Sequence, residues 1–129
     1  MNIVSKDLFQ HMVRIRRQIH RHPELGYQEE NTAAIIAEEL NKLGIKAATG
    51  IGKTGVVGRI DSTNNAGPVV ALRADMDALA IQEETGLEFA SEVKGVMHAC
   101  GHDGHVAMLI GAAALLKQSL KTGSVILVF

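Results

Sequence analysis

Residues 106–129 read VAMLIGAAALLKQSLKTGSVILVF, and the two halves of this stretch decide the fold. The first half, 106–120, is apolar almost all round, which is the pattern of a buried helix. Thr122 and Gly123 turn the chain. The second half, 124–129 (SVILVF), is a continuous apolar run, typical of a strand buried on both faces. Such a strand needs neighbours on each side and helices above and below, so the stretch specifies an α/β architecture. The chain stops inside this strand-like run. The 129 residues therefore read as the front part of a larger α/β domain, with a small domain whose last strand lies at mid-sheet as the alternative.

Working towards the N-terminus, the pattern alternates between helix and strand. Leu8, Met12, Ile15 and Ile19 recur at three- and four-residue steps, which predicts a helix over 5–22, stopped by Pro23. A second helix is predicted over about 29–43. Glu29 and Glu30 fall in its first turn, Ala33, Ile36, Ala37, Leu40 and Leu43 form its apolar stripe, and Gly44 ends it. Residues 45–49 read as a short edge strand. Residues 54–61 (TGVVGRID) and 68–74 (PVVALRA) read as better strands, separated by the turn-rich STNNAG and predicted to pair as a hairpin. Residues 80–97 carry no clear period.

Composition narrows the function classes. The chain is 47% hydrophobic and 21% charged, which fits a folded globular protein. A formal charge of −1 gives no electrostatic case for nucleic acid or an acidic membrane surface. Aromatics are 3%, with no Trp and one Tyr, so there is no platform on which bases could stack. No apolar run approaches the ~20 residues of a membrane span. The first twenty residues lack a signal-peptide core, and the single Cys fits a reducing compartment, so a cytoplasmic location is expected.

Two clusters carry candidate chemistry. Arg73-Ala74-Asp75-Met76-Asp77 closes a strand, and carboxylates at i and i+2 of an extended chain point to one side. The end of a strand in an α/β sheet is where such folds place their sites. A solvated strand end with Asp75 capping a turn explains the same residues. The second cluster is HACGHDGH, residues 98–105, with three His and the only Cys in eight positions. Cys100 and His102 flank Gly101, and if the backbone is extended there, thiolate and imidazole converge on one point. Cys and His are standard ligands for Zn, Ni, Co or Mn centres. Asp103 suits either the orientation of a ligand imidazole or the capping of the next helix. An inert helix-entry loop or a Cys–His nucleophile pair are the rival readings. Asp75, Asp77, His98 and His105 are the local candidates for further ligands, and no general base stands out beyond the aspartates.

Three strings, IHRHPELGYQE (19–29), LRADMDALAI (72–81) and MHACGHDGHVAMLIGAA (97–113), together resemble the metal-dependent amidohydrolase branch of the aminoacylase and carboxypeptidase G peptidase family. That branch includes hippurate hydrolases, N-acyl-amino-acid amidohydrolases, plant auxin-conjugate hydrolases and acetyl-diaminopimelate deacetylases. The resemblance implies an α/β, three-layer mixed-sheet, zinc-peptidase-like (phosphorylase/hydrolase-like) catalytic domain, with residues 1–129 as its N-terminal part. It implies hydrolysis of the amide bond of N-acyl amino acids at a centre of two divalent metals, Mn, Zn, Ni or Co. By the match of motifs, Cys100 and His102 are metal ligands, and Asp77 is the catalytic-site aspartate that orients a group at the metals. Asp75 stands where other branches have a ligand His. His98, Asp103 and His105 surround the ligands, His20 is structural, and His22 is solvated or packs a loop. Ala80 replaces a common Pro. The family's general-base Glu, its remaining ligands and the lid domain that mediates homodimerisation are expected beyond residue 129. A catalytically inactive fragment or interaction module with a partial metal site is the alternative expectation.

Overall fold

Residues 4–129, apart from the side chain of Asn65, are described by a computed structural model. The chain runs α1 (Lys6–Arg21), α2 (Glu30–Lys42), β1 (Ala47–Ile51), β2 (Gly55–Asp61), β3 (Asn64–Arg73), α3 (His102–Ser119) and β4 (Thr122–Val128). This is the mixed α/β class that the sequence predicts.

Local signals place the first two helices. The Ser5 hydroxyl accepts from the Leu8 amide at 3.1 Å and starts α1. The α2 N-terminus is capped from a distance. The Glu24 carboxylate accepts from the amides of Asn31 and Thr32 at 3.0 and 2.8 Å, and so satisfies donors that a helix start leaves open. Gly44, at φ +68°, lets the chain leave α2.

The sheet order is β1-β2-β4-β3. Strands β1 and β2 are antiparallel, as are β2 and β4, whereas β3 and β4 are parallel. The predicted hairpin between 54–61 and 68–74 is therefore not formed. The last strand inserts between those two, pairing Ile60 with Val125 on one side and Val70 with Val125 on the other. Parallel strands cannot be joined by a tight turn, and α3 supplies the crossover between β3 and β4. Gly123, at φ +70°, is needed where these two strands meet, because a Cβ there would collide with the Pro68 carbonyl.

The core lies between the sheet and the helices. It joins Ile15 and Ile19 of α1, Ile36 and Leu40 of α2, and Val106 and Ile110 of α3 to Val56, Ile60, Val125 and Leu127 of the sheet. The apolar 124–129 run is buried on its helix side, at Val125, Leu127 and Phe129, but only half-buried at Ile126 and Val128. A run without alternation does not reveal that difference. The opposite face carries Arg59, whose guanidinium donates to Asp61 and Ser124. Helix α3 begins four residues before the predicted position. The HDGH stretch has no apolar period to mark it, yet Asp103 in the first turn favours the helix dipole. Residues 80–97 are largely irregular, and a bridge between Leu79 and Met97 brings their two ends together. No helix among the described residues is long and apolar enough to cross a membrane.

Candidate metal centre

Strand β3 hands the chain to an extended segment that brings Asp75 and Asp77 to the first turn of α3. Gly101 caps that helix with φ +82°, a left-handed conformation open to glycine at no Cβ cost. His102 and His105 follow at i and i+3, so they share one helix face. Their rings stack with centroids 5.4 Å apart.

His102 is held from both sides. Its Nδ1 donates to the Asp77 backbone carbonyl at 3.0 Å and to Asp77 Oδ1 at 2.9 Å. A carbonyl only accepts, so Nδ1 carries a hydrogen, and in the neutral ring Nε2 presents its lone pair. That Nε2 lies 3.5 Å from Asp75 Oδ2. The other Asp75 oxygen is paired with Arg73 at 2.8 Å. One donor atom each from Asp75, His102 and His105 lie within 4.8 Å of one another. Donors around a first-row cation stand roughly 3–4 Å apart, given bonds of about 2.0–2.2 Å. Two imidazoles and a carboxylate suit a divalent cation in chemistry, and their 4.8 Å limit is wider than that spacing, so the side chains would close inward on a cation.

Cys100 lies two residues before His102, and its thiol is free and exposed. Its sulfur is not among those three donors. Asp75 and His105, rather than Cys100, are what the structure gathers around His102. The sequence signal for His105 was the HDGH spacing, legible only if the helix starts at 102, whereas Asp75 joins it from the other cluster.

A buried polar network lies behind this face. Asp103 is completely buried, and one of its oxygens accepts from His20 Nδ1 at 2.9 Å and from Arg16 at 3.1 Å. His20 Nε2 meets Glu83 at 3.2 Å. Glu83 also accepts from the Ser91 amide at 2.6 Å and the Thr85 hydroxyl at 2.5 Å. Burial alone would raise the Glu83 carboxyl, but these hydrogen bonds from Thr85, Ser91 and His20 outweigh it and hold it below its ordinary value. His98 is also buried, and among the described residues neither of its ring nitrogens has a hydrogen-bond partner. Burial pushes its imidazole below the usual value, and His20 and His102 push the same way, against the pull of Asp103 and Asp77. His22 is exposed and stands 3.9 Å from Glu92.

Clefts adjoin the donor group. One of about 440 Å³ is lined by Leu72, Arg73, Asp75, His105 and Met108 among others. A second of about 370 Å³ has Asp75 and Asp77 in its wall with Tyr27, Thr54 and Phe129. A larger one of about 560 Å³, near His22, Glu24 and Asn31, contains none of these donors and is not where the chemistry lies.

Comparison with known proteins identifies the family. The family model described as peptidase family M20/M25/M40 matches residues 71–129, the segment that holds both clusters. Thermostable carboxypeptidase 1 of Saccharolobus solfataricus is 54% identical over 121 residues, which is 92% of this chain and 30% of that protein. The N-acyl-L-amino acid amidohydrolase of Geobacillus stearothermophilus is 53% identical over 103 residues, 80% of this chain and 28% of the relative. The crystal structure of Bacillus subtilis YXEP protein, described as a dinuclear metal binding peptidase, superposes with a TM-score of 0.92 at 44% identity. It covers 97% of this chain and 36% of that one. The chain thus spans about 30% of the length of the curated relatives it matches.

Proposed function

Because this chain belongs to peptidase family M20/M25/M40, we propose that it forms the N-terminal, metal-binding part of the catalytic domain of an amidohydrolase that cleaves N-acyl amino acids. One observation carries the reading: His102 is fixed by Asp77 so that its free nitrogen faces Asp75, with His105 stacked beside it. The names of the amidohydrolase and carboxypeptidase relatives support the substrate class, an amide bond next to an amino acid. The dinuclear description of the YXEP protein supports two divalent metals per complete site.

Within that site each residue has a separate task. Asp77 sets the tautomer and the ring plane of His102. Arg73 holds one oxygen of Asp75, leaving the other beside His102. His102, Asp75 and His105 would hold a cation. Cys100, by the match of its motif, would add a thiolate. A donor set of imidazole, carboxylate and thiolate suits Zn, Mn, Co or Ni. When bound, the metal supplies a Lewis acid for the scissile carbonyl and acidifies a water nucleophile. The neighbouring clefts give the substrate room beside Asp75.

The test is metal content. The purified chain, dialysed against Zn²⁺, Mn²⁺ or Co²⁺ and then desalted, should retain divalent metal. His102→Ala should bind it at least tenfold more weakly, on the order expected when a metal loses a ligand or the group that fixes one. Retention no higher than that of a protein without such a motif would reject the reading.

A further inference from the structure

The buried network of Asp103, His20 and Glu83, which the exposed Arg16 joins at its edge, serves no step above, yet it joins the two segments that build the site. Asp103 is the residue next to His102 in the first turn of α3. Glu83 belongs to the irregular 80–97 segment, which leaves Asp77 at one end and returns to Cys100 at the other. His20 of α1 stands between them, 5% exposed at its side chain, with one ring nitrogen on each carboxylate. The Phe89 ring closes edge-on against it at 5.4 Å between centroids. Each ring nitrogen faces an oxygen that accepts, so the bridge is complete only when both nitrogens donate. A displacement of His20 would therefore shift α3 relative to the 80–97 segment, and with it His102 relative to Asp77.

We propose that His20 is a positioning residue of the metal centre, acting through Asp103 to fix the first turn of α3 and hence the direction of His102. This rests on the metal-binding reading above. A residue that only fills the core would change stability and leave the geometry at the cation alone. A positioning residue changes the cation's surroundings in protein that is still folded. The two amide side chains separate the two bonds. Asparagine places an amide nitrogen near the position of Nδ1 and can keep the bond to Asp103. Glutamine reaches towards Nε2 and can keep only the bond to Glu83.

The experiment titrates Co²⁺ into the native chain, His20→Asn and His20→Gln, following the visible d–d absorption, with circular dichroism to establish that each is folded. His20→Gln should bind Co²⁺ about tenfold more weakly, with a changed spectrum, on the scale seen when the groups that orient ligands are removed. His20→Asn should stay within about twofold of native. Asp103→Asn in the native His20 background should also lose about tenfold, and it serves if neither His20 variant folds. Equal affinity and spectrum in native, His20→Gln and Asp103→Asn would overturn the proposal and leave the metal-binding reading intact. A loss in His20→Asn as large as in His20→Gln would overturn the route through Asp103. No Co²⁺ uptake by the native chain would overturn the metal-binding reading and this proposal together.

Discussion

Replacing Asp77 with alanine measures how much of the metal centre depends on the orientation of His102. The side chain contributes one contact to that imidazole, Oδ1 to Nδ1 at 2.9 Å. The backbone carbonyl of the same residue contributes another at 3.0 Å and survives the substitution. Removing a carboxylate that orients a ligand His costs 10–100-fold in metal affinity. With the carbonyl still fixing the tautomer, the loss should sit at the low end, about tenfold, or about 1.4 kcal/mol. Asp77 is only partly buried, so the truncation opens no deep cavity and the fold should persist. Competition against a chromophoric chelator would give Zn²⁺ affinities for native chain, Asp77→Ala and His102→Ala at fixed pH. Native affinity in Asp77→Ala would refute the orienting role. A loss as complete as in His102→Ala would refute the claim that the backbone carbonyl shares it.

Two further outcomes follow from the core. His98 is held below its ordinary value by burial, so the unfolded chain takes up a proton at a higher pH than the folded chain does. Its contribution to stability is full above the ordinary histidine range and is lost as the pH falls below it. Denaturation in urea should show the native midpoint dropping between pH 7 and pH 5 by more than that of His98→Leu, and parallel curves would contradict this. Gly123→Ala should destabilise by more than about 2 kcal/mol, since it combines a positive φ with a collision against backbone rather than against a movable side chain. A thermal midpoint equal to native would show that the β3–β4 contact can yield.

Much of the fold was legible because its signals are local. The stripes of α1 and α2 repeat within a turn or two, and Pro23 and Gly44 punctuate them. The beginning of α3 was not legible, because its first turn is made of His, Asp and Gly that serve the site rather than the core. The strand pairing was not legible either. The turn-rich 62–67 segment suggests a hairpin whether or not a later strand intervenes, and only the burial of Val125 and Leu127 against the helices favours the inserted order. At the site, the sequence marked both clusters and named Asp77, Cys100 and His102. It left Asp75 and His105 as open candidates, since their value depends on where the helix begins.

The sequence by itself determined which chemical groups are present and which short segments carry them, because composition, periodicity and motif spacing are properties of neighbours along the chain. Tertiary structure alone decided which of those groups meet. Asp75 reaches His102 only because β3, α3 and β4 form a crossover, and His20 reaches Asp103 across 83 positions. Such contacts depend on how whole elements pack against one core. No local pattern encodes that, because the energy that selects it is shared among residues far apart in the chain.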